Sequence, residues 1–241
     1  MRGDLDQLLV PPKRSDRLGT RIADDIKRLI FSRKLQPGDK LPPERELSSV
    51  LRVSRVVVRE ALRILEQAGL VETTGSPRTG TVVAQNLHKP VAVSMAGLYH
   101  QGQLTLDHFV EMREATECFL IRLAATRAEA PQLDGLSALN DRLLEDVEGR
   151  TVFREHHRAF HLALAELSGN PLGVLLVRSL FEILETVRPS GALQRAFVEH
   201  THARHRAILS ALEARDPDRC AQAMAADVAH TRQLPTARRT E

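Results

Sequence analysis

The sequence predicts a mainly α-helical protein: an N-terminal winged helix-turn-helix of three helices plus a β-hairpin wing, followed by a C-terminal antiparallel α-helical bundle. Three observations support this prediction. Aromatic residues are only 3% of the 241 residues while 42% are hydrophobic, so the core is expected to be aliphatic and helical. Apolar residues recur at helical spacing along most of the chain. Two short β-like runs flank a Gly- and Pro-bearing turn at 75–80.

The first two helices follow from apolar spacing and from Pro and Gly. The first is predicted at about 16–32, after a flexible arm at 1–15, and Pro and Gly at 37–38 predict a turn after it. The second begins near Pro43, because a missing N–H is harmless in a first helical turn, and ends near Leu51. The apolar stripe of the first helix consists of Leu18, Ile22, Ile26, Leu29 and Ile30.

The third helix is predicted at about 54–68. Ser54 can cap its first turn by accepting a backbone N–H, and Gly69 is placed to end the helix. The β-like runs at 70–73 and 81–83 then form the two strands of the wing.

The chain divides into a winged helix-turn-helix domain at 16–84, a linker at 85–103, an all-helical domain at 104–233 and a polar, basic tail at 234–241. In the helical domain, Pro, Gly or Asp-Pro separates consecutive apolar patterns. The predicted helices are 104–129, 132–148, 152–168, 172–187, 193–214 and 217–233.

Charge and cysteine usage narrow the class of protein. Residues 1–85 carry a formal charge of +5 and the remaining residues −2. This asymmetry suits a module that binds phosphate in the first part of the chain and a module that does not bind phosphate in the rest. Cys118 and Cys220 form no CxxC pair, so we interpret both as helix-buried thiols in a reducing cytoplasm. No apolar run reaches the about 18 residues of a membrane span, and the N-terminus lacks the pattern of a signal peptide.

The outer side of the third helix predicts contact with DNA. Arginine can bond both acceptor atoms of guanine in the major groove. The alternative is an ordinary solvated helix face, but the adjoining cap, tight turn and wing favour DNA. This side carries Arg55, Val56, Arg59 and Arg63.

Three further positions are placed to reach DNA. Arg45, at the start of the second helix, can reach a phosphate or a neighbouring base. At the tip of the wing, Arg78 can enter the minor groove, and the backbone N–H of Gly75 can approach a phosphate.

Residues 18–84 resemble the DNA-binding domain of the GntR family of bacterial transcription regulators. The segments that carry the resemblance are 41–47, 53–55, 59–62, 65–66 and 69–71. The wing is slightly longer than the usual pattern. The resemblance implies that operator DNA is contacted by Arg45, Ser54, Arg55, Val56, Arg59 and Gly75.

Histidine is concentrated in the helical domain, where seven of the ten fall between residues 156 and 230. His157 and His161 are four apart on one helix, so they share a face and can chelate one metal ion. His205 and Asp227 lie on later helices that can converge on the same point in a bundle core. The alternative is a histidine pair on the surface or satisfied within the core.

Residues 104–232 resemble the C-terminal FCD ligand domain of the FadR subfamily of GntR regulators. The resemblance rests on 113–117 with 123–125, on 160–161 with 168–170, and on His205 through Ala211 to Asp216. Many members bind a divalent metal with an Asp, a His four residues later, and two His on the last two long helices.

This sequence departs twice from that ligand pattern, with His157 at the Asp position and Asp227 at the last His position. The departures are complementary, so the resemblance implies a site of His157, His161, His205 and Asp227. Three imidazoles and one carboxylate suit Zn, Ni, Mn or Fe. Two alternatives stay open: the two substitutions abolished the site, or His230 supplies the last ligand.

Arg113 matches a family position that often faces the effector pocket, which implies a bidentate contact with a carboxylate effector. The alternative is an ion pair with Glu117, four residues on in the same helix.

The sequence therefore predicts a homodimeric, ligand-responsive regulator, most simply a repressor, that binds a palindromic operator in double-stranded DNA and a small carboxylate at a metal. A metal sensor, in which the ion itself is the effector, is the alternative. A metal-dependent hydrolase is disfavoured, because Arg158 stands where the HExxH motif has its Glu base and no nucleophile elbow or phosphate loop is present. We expect no enzymatic activity and no membrane partner.

Overall fold

A computed structural model describes residues 14–73, 80–84, 88–144, 150–187 and 194–231. They belong to two compact units, Met1–Pro90 and Val91–Glu241. The tail at 234–241, residues 1–13 of the predicted arm and the wing tip lie outside the described residues. None of the described helices has both the length and the apolar character needed to cross a membrane.

The first unit confirms the predicted winged helix-turn-helix. Its helices are α1 (Arg14–Phe31), α2 (Glu44–Leu51) and α3 (Arg55–Gln67). Strands β1 (Val71–Thr73) and β2 (Thr81–Val83) pair antiparallel, with Val71 opposite Val83. The buried apolar core consists of Ile22, Ala23, Ile26, Leu41, Val57, Val58, Ala61, Leu62, Leu65, Leu70, Val71 and Val83.

Local signals in the sequence explain how this unit folds. The side chain of Ser54 accepts the backbone N–H of Val57 at 3.4 Å, which caps α3 as predicted. Gly69, with φ of 69°, follows α3 in the left-handed conformation that glycine adopts at low cost. In the predicted apolar stripe of α1, Leu18 and Leu29 remain 39% exposed.

The second unit confirms the predicted helical domain. Helix α4 (His88–His100) lies within the range interpreted as a linker. The helices that follow are α5 (Leu106–Arg127), α6 (Ala130–Asp141), α7 (Arg150–Leu167), α8 (Pro171–Val187), α9 (Arg195–Glu213) and α10 (Pro217–Thr231). The predicted helix at 132–148 differs, because a 3₁₀ turn over Arg142–Leu144 follows α6 and residues 145–149 lie outside the described ones.

Helix α5 is central in this unit and packs against α7, α8 and α10. Gly173 allows the close approach of α8, since a Cβ there would lie 2.3 Å from Cδ2 of Leu120 on α5. The apolar core includes Phe160, Ile208 and Val228, from α7, α9 and α10. A buried group of polar side chains lies on these same three helices, so the packing of the helices fixes the geometry of that group.

Candidate functional site

Four ligand-type side chains meet in the interior of the second unit. His157 and His161 come from α7, His205 from α9 and Asp227 from α10, and one ligand atom from each lies within 4.8 Å of all the others. All four residues are buried, with at most 6% exposure. The structure thus brings together every residue of the predicted ligand set. We call these four residues the His3Asp group.

Asp227 lies between two of the imidazoles. Its Oδ2 is 3.2 Å from Nε2 of His161, and its Oδ1 is 3.6 Å from Nε2 of His205. Among the described residues, neither carboxylate oxygen nor Nε2 of His205 has a hydrogen-bond partner. Buried polar atoms of this kind are costly unless something satisfies them, and a bound cation would satisfy all three. The donor set therefore fits a divalent metal.

Two residues outside the His3Asp group contact two of its imidazoles, those of His161 and His205, through Nδ1, the ring nitrogen that faces away from Asp227. Nδ1 of His161 contacts a carboxylate oxygen of Glu117, and Nδ1 of His205 lies 3.1 Å from Oδ1 of Asn140. An acceptor at Nδ1 favours the tautomer with the proton there, which leaves the Nε2 lone pair facing the centre. The side-chain amide of Asn140 also donates to the backbone carbonyl of His202 at 3.2 Å, which fixes its orientation.

Arg113 makes the ion pair that was the alternative to an effector contact, and it also reaches the His3Asp group. It forms a buried ion pair with Glu117, and its Nη2 lies 3.2 Å from Nε2 of His161. The guanidinium also lies over the ring of Phe181, 4.4 Å from its centroid. One side chain thus compensates the charge of Glu117 and reaches the edge of the His3Asp group.

The electrostatics of the site follow from burial and from these partners. Burial favours the neutral form of Glu117, but Arg113 and His161 outweigh it and hold the pKa of Glu117 below its ordinary value. Burial likewise opposes ionisation of Asp227, but His205 and His161 lower its pKa on balance. Both acids are therefore carboxylates.

The pKa values of the two directly matched histidines are shifted in opposite directions. Burial lowers the pKa of His205 to about 3, so its imidazole is neutral and can act as a ligand at neutral pH. Burial acts in the same direction on His161, but the carboxylates of Glu117 and Asp227 together outweigh it and raise the pKa on balance. Protons therefore compete with a metal ion for His161, and metal binding is expected to weaken as the pH falls.

A small cavity adjoins the His3Asp group. It has a volume of about 40 Å³, which is enough for about one or two water molecules. Cations, aromatic rings and one carboxylate line it together, so it can receive a polar group. The lining residues are Arg113, Phe153, Arg154, His157, Phe181, Leu184 and Glu185.

Two other histidines of this unit, His230 and His156, make contacts outside the His3Asp group. The ring of His230 stacks on Phe197 at 4.3 Å, and its Nε2 lies 3.4 Å from the carbonyl of Phe197. His156 contacts the carbonyl of Arg142 at 3.1 Å. Asp227, and not His230, therefore supplies the fourth member of the group.

The first unit presents the predicted DNA-contacting residues at its surface. Arg55, Val56 and Arg59 are exposed on α3, with Val56 at 69%. Arg45 is exposed on α2. Gly75 and Arg78, the two predicted contacts on the wing, lie outside the described residues.

Three residues of these sites were not assigned their roles from the sequence. Glu117 was considered only as a partner of Arg113, and Asn140 lies in no motif. Glu44 accepts a hydrogen bond from Nε of Arg59 at 2.8 Å. The Glu44–Arg59 contact joins residues fifteen positions apart, so helical spacing gave no signal for it.

Comparison with known proteins assigns both units. Residues 18–83 match the family described as bacterial regulatory proteins, gntR family, and residues 108–230 match the FCD domain. The transcriptional repressor NanR of Escherichia coli K12 is 29% identical over 225 residues, covering 88% of this chain and 82% of that protein. NanR of Cronobacter sakazakii is also 29% identical, over 221 residues, covering 88% of this chain and 83% of that protein.

Among solved structures, Streptococcus agalactiae GntR is similar in fold. It superposes with a TM-score of 0.57 and 25% sequence identity, covering 89% of this chain and 99% of that chain.

Proposed function

The chain belongs to the GntR family and carries an FCD domain, and from this premise we propose that it is a repressor whose FCD domain binds a divalent metal ion and a small carboxylate effector. Its relatives and its fold are those of DNA-binding transcription regulators and not of enzymes. The observation that carries the metal part of the proposal is the His3Asp group, with its buried, unsatisfied Asp227 carboxylate.

The ligand set narrows the metal. His157, His161, His205 and Asp227 would hold the ion, and three imidazoles with one carboxylate suit Zn, Ni, Mn or Fe. When bound, the ion supplies a Lewis-acid position for the carboxylate of the effector. We infer that Arg113, at the edge of the group, binds the same carboxylate while it stays paired with Glu117; its contacts with Glu117 and His161 support this role.

The cavity beside the His3Asp group would receive the carboxylate of the effector. It lies between α7 and α8 and is lined by Arg113 and His157. A ligand shifts a conformational equilibrium only through its different affinity for the two states. The effector would therefore have to bind more tightly to one functional state of the protein than to the other.

The DNA-binding part of the proposal rests on the first unit. Arg45, Ser54, Arg55, Val56 and Arg59, together with Gly75 and Arg78 of the wing, contact the operator. A homodimer would present two such units, so the operator is palindromic. NanR is named as a repressor in its organisms, which supports repression here.

The first experiment is elemental analysis of the purified protein, with variants at two histidines of α7. Near one transition-metal ion per chain in the wild type, retained in His156→Ala and lost in His161→Ala, supports the site. His156 is the matched control because it lies on the same helix and contacts the carbonyl of Arg142. A wild-type protein that takes up no metal, even after incubation with Zn, Ni, Mn or Fe(II) salts, would contradict the proposal.

A metal sensor is the second candidate, and the small cavity favours it, because an ion needs less space than an organic effector. Removal of metal by a chelator, without any organic ligand, would then change the affinity for operator DNA. If DNA affinity responds only when a carboxylate is added to the metal-loaded protein, the effector-binding function is supported instead.

A further inference from the structure

We propose that Glu44 is a positioning residue for sequence discrimination, acting by holding the guanidinium of Arg59 with its outer edge towards the DNA. The inference rests on the proposed role of Arg59 as a base-contacting residue. Glu44 is the first residue of α2, and Arg59 lies one turn into α3, so their contact joins the two helices of the helix-turn-helix.

The contact uses one particular face of the guanidinium. Nε of Arg59 donates to Oε2 of Glu44 at 2.8 Å. Bidentate recognition of guanine requires two N–H groups of one guanidinium edge. With Nε engaged by Glu44, the edge formed by the two Nη atoms remains available. The ion pair therefore selects one of the two bidentate edges before DNA arrives.

The contact also changes the charge that Arg59 presents. Paired with a carboxylate, the guanidinium is part of a neutral unit, and the carboxylate repels phosphate. Non-specific DNA binding depends on cations that replace counterions along the phosphate backbone. Glu44 therefore reduces the contribution of Arg59 to binding on any DNA, while it leaves the base-reading edge intact.

A purely structural role is a poor account of this pair. Both side chains are well exposed, 57% for Arg59 and 40% for Glu44, and exposed ion pairs contribute little to folding. Helix α2 has no buried residues of its own among those described, so loss of the pair removes no core contact. We expect the Glu44→Gln variant to melt within roughly a few degrees of the wild type.

The test compares Glu44→Gln with Glu46→Gln in the full-length protein. Both substitutions remove one negative charge from the first turn of α2, and Glu46 is exposed. The probes are the duplex most enriched from a random pool by the wild-type protein, and a scrambled duplex of the same composition. Binding to each duplex is measured over a range of salt concentrations.

For Glu44→Gln we expect the affinity for scrambled DNA to rise and the ratio of selected to scrambled affinity to fall about tenfold, since a good bidentate contact accounts for roughly that much discrimination or more. The salt dependence on scrambled DNA should steepen by about 0.9 in log–log slope, the contribution of one additional phosphate contact. Glu46→Gln should leave the ratio unchanged.

Equal changes in the two variants would show a general charge effect and overturn the inference. An unchanged ratio in Glu44→Gln would also overturn it. Failure of the wild-type protein to enrich any duplex is a different outcome, because it would contradict the proposed operator binding itself.

Discussion

Oδ1 of Asn140 lies 3.1 Å from Nδ1 of His205, and this contact links α6 to the His3Asp group. Outer partners of metal-binding histidines typically contribute about 10–100-fold to metal affinity. We therefore expect Asn140→Ala to weaken Zn²⁺ binding by about that factor, because His205 loses the group that fixes its tautomer. Competition with a chelating dye measures the change.

Asp141 provides the matched control for this prediction. It is the next residue on α6, and it is exposed and pairs with His202 on α9 at 3.1 Å. Asp141→Ala should therefore bind Zn²⁺ like the wild type. Equal loss in the two variants would point to displacement of α6 and not to orientation of His205.

Loss of the buried ion pair between Arg113 and Glu117 is expected to lower the free energy of unfolding substantially. Removal of one partner of a buried ion pair leaves the other charge uncompensated, at a cost of about 3–5 kcal/mol. We expect a loss of this size in Arg113→Ala, measured by urea unfolding of the metal-free protein. Arg195→Ala, which removes an exposed pair with Glu199, should change the free energy of unfolding by less than about 1 kcal/mol.

The sequence predicted the four members of the His3Asp group because each lies at a position that either periodicity or resemblance marks. His157 and His161 are one helical turn apart, and His205 and Asp227 fall on the predicted last two helices. Asn140 carries no such signal, since an Asn on a helix is ordinarily solvated. Only the packing of α6 against α9 brings it to His205.

The bounds of the helices followed the sequence closely where a cap or a proline marks them. Helix α10 begins at Pro217 as predicted, and Ser54 caps α3. The predicted helix at 132–148 was less accurate. A 3₁₀ turn follows Asp141, and no Gly or Pro in the sequence marks that point.

Substitution by alanine is expected to have opposite effects on stability at two helical glycines, Gly173 on α8 and Gly135 on α6. In Gly173→Ala the new methyl group would lie 2.3 Å from Cδ2 of buried Leu120, so we expect a loss of stability of about 1–3 kcal/mol. In Gly135→Ala, on α6, the methyl group would have no neighbour within 4 Å. That variant should gain up to about 1 kcal/mol from helix propensity.

Thermal unfolding of the two glycine variants at equal metal content measures both effects. Stabilisation by Gly173→Ala would show that α8 does not approach α5 as closely as the structure indicates.

We expect the thiols of the two cysteines to react slowly with alkylating reagents. Cys220 is buried as predicted, whereas Cys118 is only half-buried, and removal from water raises the pKa of both thiols to about 11. At pH 8 the reactive thiolate is therefore scarce, and we expect alkylation at least about a hundredfold slower than for a free thiol. Single Cys→Ser variants assign the rates. Rapid labelling of either thiol at pH 8 in the folded protein would contradict the prediction.

The same shift has a consequence for stability at high pH. The unfolded thiols ionise near their ordinary value of 9, whereas the folded ones stay protonated to about 11. The folded state therefore loses stability as the pH rises from 9 towards 11, since the unfolded chain gives up its protons first. Each Cys→Ser variant should reduce this alkaline dependence, which unfolding at pH 8 and pH 10 measures.

The last prediction separates the charge of Arg59 from its shape. Arg59→Lys keeps the positive charge but loses the planar edge that bonds two acceptors of one base. We expect it to lose about 1–3 kcal/mol of discrimination between selected and scrambled duplexes, with little change in affinity for scrambled DNA. Arg21→Lys, at an exposed arginine of α1 that lies outside the predicted DNA-contacting residues, is the control. An unchanged affinity ratio in Arg59→Lys would mean that Arg59 binds phosphate and reads no base.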